Sequence, residues 1–469
     1  MKTSRRQIDM LHGPLLKKIV LFALPIAMSS ILQQLFSAAD TAVVGRFAGS
    51  DSLAAVGANG VVISLLVNLF IGMSVGTNVL LATAEGRRDR EGMVKALHTS
   101  VLFSVLCGIA LGVLGFFIAP LAHRLIGTGE AGTHLRAQAV LYLRIYFAGM
   151  PFMLLYNFES AILRSKGDTR RPLIVLTASG VLNLVLNLVL VVGFHMTVDG
   201  VAIATVASNA FSAIVLFWLL CREEGAYRLK RESLRLDGRT LLQIVRIGLP
   251  AGVQSSMFSV ANVIVQASVN ALGPAVIAGT TVGLYVEIFG FAVLNGFSQA
   301  ATTFVGQNYG AGDLPRCRKI TRICVLCGAV GTFVLTGILA LLRAPFVAIF
   351  TQDAAVAAVA CVRIVYVGIY QAVNGIGEIF SGSMRGMQRS LVPALISIIS
   401  ICGVRLLWIF VFYPANRTYG HLIFAYPLSW VVSLAAMTVA YFLVRRKAEG
   451  EARGGGVGSN SGTHLIRNH

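Results

Sequence analysis

The stretch IVLFALPIAMSSILQQLFSAADTAVVG, residues 19–45, contains one charged side chain, Asp40. Wound as a helix at about 1.5 Å per residue, it is longer than the ~30 Å hydrocarbon core of a bilayer, so it reads as a membrane-spanning helix. A basic leader precedes it (Lys2, Arg5, Arg6, Lys17 and Lys18). The apolar run is too long for a signal sequence and no small-residue cleavage site follows, so it reads as a retained first span.

Similar runs recur down the chain. The predicted spans are residues 19–45, 53–82, 96–119, 138–162, 172–194, 198–221, 241–270, 275–303, 320–342, 355–383, 391–413 and 420–444. Composition agrees: of 469 residues 56% are apolar and only 13% charged, against about 25% charged in soluble domains. An outer-membrane barrel would instead show alternating segments of roughly ten residues. The expected fold class is an all-α polytopic membrane protein with twelve transmembrane helices.

The net charge of +19 would suggest nucleic acid in a soluble protein, but its distribution says otherwise. With the N-terminus taken as cytoplasmic, 31 of the 39 lysines and arginines fall on the inner side. Five (Arg46, Arg124, Arg136, Arg343 and Arg417) fall on the outer side, and Arg144, Arg363 and Arg405 lie within spans. The positive-inside rule then places both termini in the cytoplasm, and no nucleic-acid partner is called for. The seven cysteines imply no disulfide framework, and Cys324 and Cys327 read as apolar filler.

The two halves repeat. Leu24-Pro25 matches Leu249-Pro250. A shift of 224 carries Gly49 to Gly273, Ser74 to Ser298, Gly86 to Gly310 and Asp89 to Asp313, and a shift of 221 carries Leu163-Arg164 to Met384-Arg385. Six spans per half give both halves one orientation, related by an axis along the membrane normal, with a cavity between them. The organisation expected is a leader over 1–18, a six-helix lobe over 19–221, an inter-lobe loop over 222–240, a second six-helix lobe over 241–444 and a disordered cytoplasmic tail over 445–469. Gly45/Gly49, Gly72/Gly76, Gly108/Gly112, Gly248/Gly252 and Gly279/Gly283 are candidate packing pairs. Pro25, Pro151 and Pro250 are hinge candidates.

No lysine follows a glycine, so the chain has no P-loop lysine, and no histidine precedes a glutamate. An enzyme is not expected, no cofactor is called for, and uphill transport would draw on an ion gradient. Attention then falls on four acids at bilayer depth: Asp40, Glu159, Glu287 and Glu378. Gln33, Ser37 and Asp40 form a polar stripe on span one, and Ser179, Asn183 and Asn187 form another on span five. Thr205 stands on span six. A carboxylate among amides and hydroxyls can hold a proton or coordinate a small cation, so Asp40, Asn183, Asn187 and Thr205 are the candidate coupling residues, with Na+ at Asp40 as one option. Cavity candidates are Gln33, Ser37, Gln254, Asn262, Glu287, Asn374 and Glu378. Glu378 is placed to reach Arg405, and Glu159 reads as interfacial.

Residues 15–445 resemble the multidrug and toxic compound extrusion (MATE) family, in the bacterial branch that includes the DNA-damage-inducible (DinF-like) members. The carriers are LFALPIAMSSILQQLFSAADTAVVGRFAGSDSLAAVG (21–57), LRSKGDTRRP (163–172), LNLVLNLVLV (182–191), GVAIATVASN (200–209), TFVGQNYGAGD (303–313) and MRGMQRS (384–390). The resemblance implies two six-helix lobes that export organic, often cationic, compounds in exchange for protons or sodium ions. It matches the family's span-one acid to Asp40 and its hydrogen-bonding cluster to Asn183 and Thr205. Where some members carry a second acid in span five this chain has Asn187, and where others carry one in span ten it has Asn374. The expected setting is the bacterial inner membrane and the expected partners are the lipid bilayer and small organic molecules, with the chain a monomer. On this reading, ion binding at Asp40 competes with cargo in the cavity. The alternative is a lipid-linked precursor flippase of the same wider superfamily.

Overall fold

The computed structural model describes residues 7–125 and 133–454 of the chain. Every regular element among them is helical. In chain order they are α1 (Leu15–Val43), α2 (Ser50–Arg87), α3 (Arg90–Leu125), α4 (Thr133–Ala148), α5 (Met150–Ser165), α6 (Arg170–Asn187), α7 (Val198–Cys221), α8 (Gly238–Asn270), α9 (Pro274–Gly310), α10 (Leu314–Leu341), α11 (Arg343–Ala348), α12 (Ala354–Gly386), α13 (Leu391–Ser397), α14 (Val404–Leu407), α15 (Tyr419–Ile423) and α16 (Ala425–Gly454). Eleven helical stretches are long and apolar enough to cross a membrane. The bent pair α4 and α5, at 47°, makes a twelfth.

That bend falls at Gly149 and Pro151, where proline at the start of α5 withholds a backbone donor. The other two hinge candidates behave differently: Pro25 and Pro250 lie within α1 and α8, which run on past them. The span over Leu391–Ala415 is assembled from α13, α14 and wide π-helical turns at Ile398–Gly403 and Trp408–Phe412. The corresponding span of the first half ends in a similar turn at Leu188–Gly193.

Duplication is written into the backbone. Gly49 and Gly273, 224 apart, open α2 and α9 at φ of 88° and 100°, a region closed to most side chains. Arg88 and Gly312 end those helices at 57° and 77°, and Gly167 and Gln388 repeat the motif at 93° and 62°. Asp89 Oδ1 accepts from Gly92 N and Asp313 Oδ1 from Arg316 N, both at 2.9 Å. Gly49 therefore serves a turn and not the helix contact expected of it.

The lobes meet where α2 crosses α8. Gly72 faces Gly252 and Gly76 faces Gly248 so closely that a Cβ on any of the four would come well within 3.0 Å of the opposing backbone. Lipid gives helices no hydrophobic reason to associate, so such close backbone packing is what holds the crossing. Helix α1 is shared between lobes. Its first half packs Ile19 and Phe22 into a second-lobe core with Phe297, Phe304 and Cys324, the Phe22 and Phe304 rings meeting edge to face at 5.4 Å. Its second half lies on α6, with Phe36 filling the space over Gly180.

One correction concerns the C-terminus. Helix α16 continues to Gly454, where disorder was expected from residue 445. Glu449 pairs with Arg445 and Arg318, and Glu451 with Arg389 at 3.0 Å, so this charged, helix-favouring stretch is anchored to the body. The rest of the expected tail, 455–469, and Lys2, Arg5 and Arg6 of the leader lie outside the described residues.

Candidate functional site

Between the lobes lies a cavity of about 690 Å³, a volume suited to a drug-sized molecule. It is closed toward the face that carries the basic loops. There Gln307 Nε2 donates to Ser165 O at 2.7 Å, and Asn78 receives Thr303 Oγ1 at 3.0 Å while donating to Ala161 O at 3.1 Å. The segment before α1 fastens the same end: Ile8 N donates to Gly167 O, and Asn308 Nδ2 and Arg316 Nη2 donate to Met10 O. Farther from the basic loops, Asn295 donates to Ser30, Ser256 to Leu65 O and Asn68 to Ser259.

Helices α8, α9 and α12 bring Gln254, Asn262, Glu287, Asn374 and Glu378 to the cavity wall, and α1 brings Gln33. Glu287 is held by Arg363, whose Nη2 lies 3.0 Å from Oε2 and which is only 2% exposed. Glu378 pairs with Arg385 on its own helix at 3.5 Å, not with Arg405 as expected. Seven residues on, Arg385 lies two helical turns away on the same face, whereas Arg405 is engaged elsewhere. Arg405 Nη1 donates to Asn262 Oδ1 at 2.9 Å, its Nε donates to Ser429 Oγ at 3.2 Å, and its guanidinium carbon stands 4.1 Å from the centre of the Tyr426 ring. Gln254, nearly wholly buried, ties this wall together: it donates to Ser397 at 2.9 Å and accepts from Arg385 at 3.1 Å.

Asp40 lies apart from that wall. Helices α1 and α6 set it against Asn187, whose Nδ2 donates to Asp40 Oδ1 at 2.6 Å and also faces Asn183 Oδ1 at 3.3 Å. Asn187 is wholly buried and its own Oδ1 has no partner among the described residues. Three of the four expected coupling residues thus form one cluster. Thr205 donates to Val201 O of its own helix and joins the cluster by no bond. Neither Asp40 nor Ser37, the latter expected on the cavity wall, is among the residues that line the inter-lobe cavity. Among the described residues no group of three or more His, Cys, Asp or Glu could hold a metal ion. A small cation at Asp40 would therefore rely on the amide oxygens of Asn183 and Asn187.

Two residues counted with the basic loops, Arg164 and Arg385, line the cavity near its closed end, one from each lobe and 221 positions apart. Glu159, expected at the membrane interface, is wholly buried within the protein in α5, and neither carboxylate oxygen has a hydrogen-bond partner among the described residues. The run Gly72-Met-Ser-Val-Gly76 spells the hydrolase string Gly-x-Ser-x-Gly. However, it sits inside α2, with buried Ser74 donating to Ile71 O at 2.7 Å, far from the exposed elbow a nucleophile requires.

Comparison with known proteins follows the same outline. A family model described as MatE matches residues 25–189 and 250–411, one stretch per lobe. The chain is 28% identical over 449 residues to a Bacillus subtilis protein named probable multidrug resistance protein YoeA, spanning 92% of this chain and 95% of that one. It is also 28% identical over 396 residues to the Thermotoga maritima protein named probable multidrug resistance protein NorM, spanning 83% and 84%. Its fold matches a structure described as the outward-facing conformation of a multidrug resistance MATE family transporter, with a TM-score of 0.84 at 20% identity over 97% and 100% of the chains.

Proposed function

Because the chain belongs to the MatE family of membrane transporters, we propose that it is a secondary active multidrug exporter, driven by protons or sodium ions entering through Asp40. The observation that carries this reading is the position of α1. One half of that helix packs in the second-lobe core and the other presents Asp40 to Asn187 in the first lobe. Loading or unloading the carboxylate changes the bond that fixes α1 to α6, and α1 transmits the change to both lobes. Pro25, between the two halves, lacks the donor that would stiffen the helix there.

The basic face is cytoplasmic on this reading, in the inner membrane of a bacterium, and the cavity described is the outward-facing state. Export alternates that state with one in which the bonds around Gln307, Asn308 and Met10 open. One charge crossing roughly 150 mV releases about 3.5 kcal/mol, enough for a gradient of a few hundred-fold in a neutral substrate. The test is transport by purified protein in liposomes, with proton and sodium gradients imposed separately. Cargo movement with one gradient supports the reading. Uphill movement with both collapsed, or movement of a labelled lipid-linked precursor in place of soluble cargo, overturns it.

A further inference from the structure

The charges that line the cavity do not suit a cationic cargo. They are three arginines, Arg164, Arg385 and Arg405, and two glutamates, Glu287 and Glu378. Both glutamates are committed, Glu287 to Arg363 and Glu378 to Arg385. An organic cation entering here finds no free carboxylate on the wall. By contrast, Arg405 and Arg164 have no carboxylate within 4.0 Å among the described residues.

Arg405 is the better built of the two. It is 4% exposed and is oriented by Ser429 and Asn262, while its Nη2 donates to no described protein atom. Tyr426 lies under the guanidinium at 4.1 Å and Trp430 at 6.0 Å, and both rings line the cavity, as do Phe258 and Phe291. Burying a guanidinium with no carboxylate in contact is costly, and a cation–π contact recovers only part of that cost. An incoming acid group would supply the missing partner through a charge-assisted hydrogen bond.

We propose that Arg405 is the recognition site for amphipathic organic anions: a carboxylate on the guanidinium, with an aromatic body against the rings around it. This rests on the export reading for its setting and narrows that reading to a class of cargo. The unpaired positive charge also extends inward, since Arg164 stands at the closed end on the path an anion would follow.

The experiment is fluorescence polarisation of the purified full chain with two planar aromatic probes, carboxyfluorescein and ethidium. Wild-type protein should bind carboxyfluorescein saturably and at least about tenfold more tightly than ethidium. Arg405→Met should weaken carboxyfluorescein binding by about tenfold or more, the loss of one charge-assisted hydrogen bond, and Arg405→Lys should restore part of it. Equal or tighter binding of ethidium, no saturable binding of carboxyfluorescein to the wild type, or undiminished binding to a monodisperse Arg405→Met protein would each overturn the assignment. The wild-type comparison stands even if a variant misfolds. Gradient-driven movement is scored separately in liposomes. Arg405-dependent binding without such movement supports the site and counts against export, whereas movement indifferent to Arg405 does the reverse.

Discussion

Asn187 donates to Asp40 across 2.6 Å, and this bond links α1 to the far end of α6. The amide is wholly buried and its oxygen is unpaired among the described residues, so one geometry serves the carboxylate and leaves an acceptor free for a proton on Asp40 or for a small cation. Asn187→Ala removes a hydrogen bond to an acidic acceptor, of the kind worth about 1.5–3 kcal/mol when that acceptor is charged. A lower melting temperature in detergent, together with weakened ion-driven efflux, is expected. Unchanged values for both would show that the bond does no work.

The crossing of α2 and α8 has no room for a side chain at Gly248, where a Cβ would press on the Met73 backbone. Gly248→Leu is expected to cost about 1–3 kcal/mol or more in strain and to abolish transport by wedging the lobes apart. Gly238→Ala, in open space at the start of α8, is the control and should retain both stability and transport.

At the closed basic face Gln307 Nε2 donates to Ser165 O across 2.7 Å, the shortest bond described there between helices of the two lobes. Gln307→Ala gives up about 1 kcal/mol of that closure, a roughly fivefold shift toward the opposite state. In inverted vesicles, labelling of a Ser160→Cys site in the cavity by an impermeant maleimide should accelerate by about that factor. An unaltered rate would remove Gln307 from the closure.

Beyond the spans, Glu223 joins the loop after α7 to Lys166, at 2.5 Å, and to Arg171. Burial alone would raise its carboxyl, but hydrogen bonds from Lys166 and Arg171, reinforced by their charges, hold it below the usual glutamate range. A carboxyl lowered by folding stabilises above its unfolded value of about 4.5, and the contribution fades as pH falls through the lower folded value. Glu223→Gln should therefore melt at a lower temperature than wild type near neutrality, with the gap narrowing below pH 4.5. A gap independent of pH would contradict the pairing.

Much of this was readable in the chain. Apolar run length carried the twelve spans, and the turn residues at Gly49 and Gly273, or Asp89 and Asp313, carried the duplication, because both report local backbone requirements. The stripes over Asp40 and Asn187 identified two residues that do meet, although they are 147 positions apart. Pairings across helices were harder. Periodicity says which face a residue occupies and not which helix lies opposite, so Glu287 with Arg363 went unseen and Glu378 was given the wrong arginine. Arg164 and Arg385 were misplaced for a geometric reason. On α5 and α12, which both run toward the basic face, side chains tilt back toward the helix N-terminus, carrying these two into the cavity.

Asp40→Asn bears most directly on the central claim, because it keeps the shape of the side chain and removes its charge. Purified variant and wild type would be reconstituted side by side and efflux of one cargo followed under an imposed proton or sodium gradient. The account predicts a folded Asp40→Asn protein that still binds cargo and no longer moves it uphill. Full gradient-driven efflux by that variant would contradict it.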